Sequence, residues 1–190
     1  DVRVLKETVA CKLNLEMSLA EPIVKIAEQV VPDQVTLVPE NRAELTTEGG
    51  LDCVRYQRRV AEVVKRMHKK GIVVSAFITA ERDQIAASAQ TGCDAIELHT
   101  GMYANAKTEK AAKRQIVDLE AGRDFALENG LIVHAGHGLT YRNIGPVARI
   151  EGLCEFNIGH SIISRAVLVG LRQATREMIE LIDKHEVRTA

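Results

Sequence analysis

Short apolar runs alternate with longer amphipathic segments along the whole chain. Helices are predicted over residues 1–9, about 18–31, 51–70, 80–91, 108–129, 141–149 and 161–184, from apolar residues that recur every three to four positions. The apolar runs predict six strands, at residues 12–17, 34–39, 72–78, 94–100, 131–136 and 154–159. Each strand is followed by a helix. Strict alternation of this kind predicts a parallel sheet with right-handed crossovers.

Two architectures share this alternation, an open doubly wound sheet and a closed (β/α)₈ TIM barrel. A barrel typically needs about 250 residues and eight strands, whereas this chain has 190 residues and six predicted strands. An open sheet that binds nucleotides usually carries a glycine-rich loop after an early strand, and the sequence has none. We therefore expect an α/β (β/α)₈ TIM barrel with extra helices and one domain, residues 1–190. The first strand, first helix and second strand are expected to be absent from this chain.

Composition excludes several classes of protein. The net charge of −1 and the absence of Trp leave no basic, aromatic surface for nucleic acid. No apolar run reaches the roughly 18 residues of a membrane span, and no signal peptide is visible. The four cysteines are far apart and form no CxxC pair, as in a cytoplasmic protein with reduced thiols. We expect neither nucleic acid nor membrane as a partner.

Polar residues share one face of two predicted strands. Asn14 and Glu16 alternate with apolar neighbours in "LNLEM", and Glu97 and His99 do the same in "AIELHT". In a barrel the apolar face packs on the helices, so these side chains should point into the interior. Carboxylates there are costly unless paired or functional. Polar residues at the carboxyl ends of barrel strands are typical of catalysis, although His99 is also consistent with orienting Glu97 or a loop carbonyl.

The stretch "HAGHGL" follows the fifth predicted strand and contains two histidines. His137 lies between Gly136 and Gly138, which indicate that the backbone comes close to another group and leave the imidazole exposed at the rim. His134 is expected to be a supporting residue. A metal site is the weaker interpretation, because the candidate ligands show no diagnostic spacing. Those candidates are Glu16, Glu97, His99, His137 and His160.

The loops after the last two predicted strands predict a phosphate site. Barrels often bind phosphate with the loops after strands 7 and 8 and a helix N-terminus, and Gly159-His160 leads directly into a helix. Ordinary tight turns would have the same glycines. The long loop "PENRAELTTEGG" is consistent with a lid, with a second anion contact, or with a solvated excursion.

The chain resembles the pyridoxine 5′-phosphate synthase family of vitamin B6 biosynthesis over residues 1–182. The resemblance rests on five blocks in the family's order, which are "LNLEM", "LVPENRAELTTEGGLD", "IELHTGMYA", "HAGHGLTYRN" and "FNIGHSIISRAVLVGL". It implies a homo-octameric barrel without metal or organic cofactor. The implied reaction condenses 1-deoxy-D-xylulose 5-phosphate with 3-amino-2-oxopropyl phosphate, yielding pyridoxine 5′-phosphate, inorganic phosphate and water.

The resemblance also implies residue roles. Glu16 matches the general base, Glu97 the glutamate that stabilises the transition state, and His137 the general acid. Contacts to the aminoketone phosphate match Gly138, Gly159 and His160. Thr46 matches a contact to the deoxyxylulose phosphate.

The sequence departs from the family pattern in two places. The family's first two strands supply a further catalytic histidine and most ligands of the deoxyxylulose phosphate, and neither is present here. We therefore expect roughly 55 more residues upstream in the natural protein, from the eight strands of a barrel, and no turnover by this chain alone. His134 stands where the family has asparagine. Two alternatives stay open, another phosphosugar-binding barrel such as an epimerase or isomerase, and a non-catalytic barrel subunit.

Overall fold

The structure, a computed structural model, describes residues 1–40 and 49–185. Within these residues one sheet of six parallel strands follows the order of the chain, and each strand pairs with its predecessor. The strands are β1 (Asn14–Met17), β2 (Gln34–Leu37), β3 (Val73–Ile78), β4 (Ala95–His99), β5 (Ile132–Gly136) and β6 (Leu153–Asn157). The order does not reverse, which is typical of barrels and not of doubly wound sheets.

The sheet curls so that its two edges face each other. Six flat strands would separate β1 from β6 by about 24 Å, since neighbours lie about 4.8 Å apart. Instead Lys12, just before β1, forms an ion pair with Glu155 of β6. Asn14 Nδ2 also donates to Glu155 Oε1 at 3.5 Å. The described residues therefore form a curled parallel α/β sheet of TIM-like type.

Nine helices lie within the described residues. They are α1 (Val2–Thr8), α2 (Glu21–Val30), α3 (Gln57–His68), α4 (Arg82–Gln90), α5 (Gly101–Ala104), α6 (Glu109–Glu128), α7 (Ile144–Ala148), α8 (His160–Val169) and α9 (Leu171–His185). No helix among the described residues is long and apolar enough to cross a bilayer.

The helix pattern differs from the prediction at three points. The single helix predicted over residues 161–184 is wrong, because Gly170 adopts a φ of 82° between α8 and α9. Such a left-handed residue interrupts a helix, although the apolar pattern continues across it. The loop after β4 contains the short helix α5. Helix α3 begins at Gln57 and not near residue 51, since turns precede it.

The two faces of the sheet have different surroundings. The face toward the helices is apolar and almost fully buried, as at Val35, Val74, Ile96 and Val133. The inner face carries polar side chains, and Thr36 Oγ1 donates to Asn14 Oδ1 across β1 and β2 at 3.0 Å. The alternation predicted from the sequence is confirmed, and it places polar groups inside the curled sheet.

Candidate active site

A cavity of about 640 Å³ opens at the carboxyl ends of the strands. Six of the seven predicted site residues line it, and Thr46 lies outside the described residues. The six residues that line the cavity are Glu16, Glu97, His137, Gly138, Gly159 and His160. They come from four separate strand ends, which meet because parallel strands all end on the same edge of the sheet.

Glu97 is the buried carboxyl group of this cavity. It is 3% exposed, and Asn157 Nδ2 donates to its Oε2 at 2.7 Å. The pKa of Glu97 is raised to about 8, chiefly by burial; the hydrogen bond from Asn157 opposes this rise, and the nearby Glu16 and Glu155 carboxylates contribute to it. At neutral pH Glu97 is therefore mainly a neutral acid that can donate a hydrogen bond.

Glu16 has different surroundings from Glu97. It ends the polar face of β1, lines the same cavity and is exposed. An exposed carboxylate keeps its hydration and can accept a proton from a bound substrate, whereas a buried one is held protonated. Two carboxyl groups in contrasting environments suit separate acid and base roles.

His137 directly follows β5 and has an unusual backbone conformation. Its φ is 74°, in the left-handed region, and Gly138 follows with a φ of 76°. A non-glycine residue there costs about 1–3 kcal/mol and is found mostly at functional sites. Thr100 Oγ1 holds the turn by donating to the carbonyl oxygens of Gly136 (2.8 Å) and His137 (2.6 Å). The imidazole is presented, exposed, to the cavity.

Gly136 makes room for the buried carboxyl group. A β-carbon at this position would collide with Oε1 of Glu97 and lie 3.0 Å from the carbonyl oxygen of Asn157. At Gly138 a β-carbon would lie 2.7 Å from that of Ala104. Both glycines are thus required by close approach, so they are not explained by the turn alone.

His99 is not one of the residues that line the cavity, but it packs against His137, which is. Their ring centroids lie 4.7 Å apart, and Phe77 meets His99 edge-on at 5.1 Å. Nδ1 of His99 is buried without a hydrogen-bond partner among the described residues. The pKa of His99 is lowered to about 4, chiefly by burial and in smaller part by the charge of His137. His99 is therefore neutral at physiological pH.

The start of helix α8 also lines the cavity. Gly159 precedes its first residue, His160, and both are exposed. A β-carbon at Gly159 would meet nothing within 4 Å, so the backbone there is open to a ligand. Free N–H groups and the helix dipole make such a terminus attractive to phosphate.

His134 lies deeper in the interior than the cavity. Its register pairs it with Glu97, so both side chains are on the inner face of the sheet. It is 4% exposed, and its Nδ1 lies 4.0 Å from Oε1 of Glu155. Burial lowers the pKa of His134, the nearby Lys12 adds to this, and Glu155 opposes it. A supporting role for His134 stays a prediction.

Some residues of the cavity were not among the candidates from the sequence, and two of them bear on its chemistry. Asn157 and Phe77 line it, and neither was a candidate. Alternation along β6 puts Asn157 on the face of Glu155, so the reasoning that found Glu97 could have found Asn157 as well. Phe77 could not be recognised as a cavity residue from the sequence, because an aromatic residue in an apolar strand is ordinarily a core residue.

Together, a curled parallel sheet, an acid–base cluster at its strand ends and an open helix start are the arrangement of a TIM-like enzyme. The comparison with known families is more specific. The model of the family described as pyridoxal phosphate biosynthesis protein PdxJ matches residues 1–184, and the chain belongs to this family.

Individual relatives agree with this assignment. Pyridoxine 5′-phosphate synthase of Thermosynechococcus vestitus is 54% identical over 182 residues, which cover 96% of this chain and 76% of that protein. A protein of the same description from a Synechococcus strain is 56% identical over 178 residues. These residues cover 94% of this chain and 74% of that protein. A solved structure described as native KDPGal has a TM-score of 0.62 at 12% identity, over 96% of this chain and 76% of that one. At that identity the likeness concerns the fold alone.

Proposed function

We propose that the protein is a pyridoxine 5′-phosphate synthase. In this reaction 1-deoxy-D-xylulose 5-phosphate and 3-amino-2-oxopropyl phosphate condense to pyridoxine 5′-phosphate, with release of inorganic phosphate and water. The observation that carries the proposal is the convergence of Glu16, Glu97 and His137 on one cavity in a chain of the PdxJ family. An amine must add to a ketone, water and phosphate must leave, and a ring must close. Each step moves a proton, so an acid and a base are needed near the same carbons.

The three side chains divide these tasks by their surroundings. Glu16, exposed at the end of β1, is the general base. His137, held at the rim by its glycine-flanked turn, is the general acid for the leaving oxygen. Glu97 is protonated by burial and donates a hydrogen bond where negative charge develops on the substrate, which stabilises the transition state.

Two phosphorylated substrates require two anion sites. We assign the aminoketone phosphate to Gly138, Gly159 and His160, since the start of α8 and the turn after β5 border one side of the cavity. Backbone N–H groups bind phosphate there without a metal or an organic cofactor. Thr46 is assigned to the deoxyxylulose phosphate from the family motif.

We also propose a cytoplasmic homo-octamer. Apolar side chains on α8 support an assembly, since Val167 is 82% exposed and Leu168 is 79% exposed. Exposed apolar patches commonly mark contacts between subunits. Sedimentation-velocity centrifugation measures the assembly directly, and a purely monomeric protein would contradict the octamer.

Product formation from the two substrates tests the function. The protein from its complete gene should release phosphate and form pyridoxine 5′-phosphate. Glu16→Gln and His137→Asn should each lower kcat by about 10²–10⁴-fold, the usual contribution of a general acid or base. Glu128→Gln and His68→Asn are matched controls at exposed helix positions and should keep the rate. Unchanged rates in both site variants would refute the roles assigned here, and conversion of a single phosphosugar would favour an epimerase or isomerase.

A further inference from the structure

The His137 imidazole has no hydrogen bond to any described residue. Thr100 bonds only its backbone carbonyl, and no bond within residues 1–40 and 49–185 reaches the ring. A general acid must nevertheless be held in a narrow range of positions, because a displacement of about 1 Å can cost about 100-fold in rate. Some other contact must therefore orient this ring.

The described contacts that orient it are with other rings. His99 lies 4.7 Å from His137 between centroids, with planes inclined by 36°, and Phe77 lies 6.0 Å away. Phe77 also meets His99 edge-on, at 79° between planes. The three rings form one cluster, and His99 makes the closer contact to His137.

The position of His99 is itself tightly determined. A β-carbon at Gly101 would lie 2.5 Å from Cε1 of His99, and one at Gly49 would lie 3.5 Å from the same atom. Glycine at position 101 is needed to give the ring its space, whereas a β-carbon at Gly49 would only make ordinary contact with it. Phe77, 9% exposed, closes another side. A ring enclosed in this way has little freedom to turn, so it can serve as a fixed surface for its neighbour.

The charge of His99 also suits this role. It stays neutral at physiological pH because burial and the charge of His137 disfavour its protonated form. A neutral ring does not repel a protonated His137, and its π face attracts a cation. A second charged imidazole at this distance would instead push His137 away.

We infer that His99 is a positioning residue, whose neutral ring, braced by Phe77, holds the His137 imidazole in the orientation that proton transfer requires. The inference rests on the proposed function of His137. It assigns no proton transfer to His99 itself. Its role needs an aromatic face and no titratable nitrogen, so phenylalanine should replace it and an aliphatic side chain should not.

The test compares His99→Phe with His99→Leu in the protein from its complete gene. Both substitutions are apolar and similar in volume, but only one retains a ring. His99→Leu should lower kcat about 10- to 100-fold and leave KM within about threefold. His99→Phe should keep kcat within about fivefold, with the pH profile of the unmodified protein. His68→Leu, at an exposed helix position, is the control and should change neither constant.

Three outcomes of this comparison would overturn the inference. Normal kcat in His99→Leu would show that the ring is dispensable. Equal losses of kcat in the leucine and phenylalanine variants would show that a His99 nitrogen takes part in the chemistry. The absence of one limb of the pH–rate profile in His99→Phe would show the same.

A measurement without turnover separates this inference from the proposed function. A nuclear Overhauser effect between ring protons of His99 and His137 is expected at a centroid separation of 4.7 Å, and its absence would overturn the inference even if His99→Leu failed to fold. No product from the unmodified protein, with that effect present, would instead refute the proposed function and leave the ring contact standing.

Discussion

Replacing Glu97 by glutamine should stabilise the folded protein at and above neutral pH. Glu97 is 3% exposed, and its pKa is raised from 4.5 to about 8, chiefly by burial. Between these two values the folded protein holds a proton that the unfolded chain has released. The free energy of unfolding must therefore fall as the pH rises through this window.

The size of the effect follows from the two pKa values. One pKa unit corresponds to about 1.4 kcal/mol. The loss of stability from Glu97 is thus near zero below pH 4.5, about 3 kcal/mol at pH 7 and about 5 kcal/mol above pH 8. A glutamine at this position is neutral throughout and can still accept the hydrogen bond that Asn157 donates to Glu97.

Urea unfolding followed by far-UV circular dichroism is the appropriate assay, because the chain has no Trp for fluorescence. The difference in unfolding free energy between Glu97→Gln and the unmodified protein should grow from near zero at pH 5 to several kcal/mol at pH 8. Glu128→Gln, at an exposed position on α6, should follow the unmodified protein. A difference that is the same at every pH would refute the claim that burial holds Glu97 protonated.

Three further predictions concern stability and access. Gly136→Ala should lower the free energy of unfolding by about 1–3 kcal/mol and suppress turnover, because the added β-carbon would collide with Glu97. A normal midpoint of urea unfolding together with a normal kcat would contradict this prediction. His137→Asn should match or exceed the unmodified protein in thermal midpoint, since asparagine tolerates the left-handed φ of 74° better, and a marked drop would count against backbone strain there. Ellman's reagent should modify the two exposed cysteines of the native protein quickly and should reach Cys53 and Cys93, which are buried, only after unfolding. Rapid modification of all four cysteines in the native protein would disprove this packing.

The relation between pattern and structure is clearest at the strands. Alternation in "AIELHT" placed Glu97 and His99 on the inner face, and their partners across the sheet confirm it. This succeeds because a strand has a strict two-residue period. The final helix had no comparable constraint. Its apolar residues continue across Gly170, so only the backbone angle of that glycine reveals that α8 and α9 are separate.

The glycines that flank His137 also show what local sequence can and cannot indicate. A glycine on each side of His137 was correctly taken as a sign of close approach. The group that approaches Gly136 is, however, Glu97, 39 positions earlier in the chain, and not a substrate. Local sequence carries no information about which distant side chain fills a given space, since that depends on how the strands are staggered.

The sequence by itself determined the order of strands and helices, the inward face of each strand and the candidates Glu16, Glu97 and His137, because these depend on short periods and local motifs. The tertiary structure decided what these groups can do. Glu97 is neutral because neighbouring strands bury it, even though Asn157, 60 positions away, donates a hydrogen bond that favours the charged form. His99 orients His137 in our proposal because β4 and β5 end side by side. Protonation and ring packing depend on distances in space, and distant segments acquire those distances only when the sheet curls.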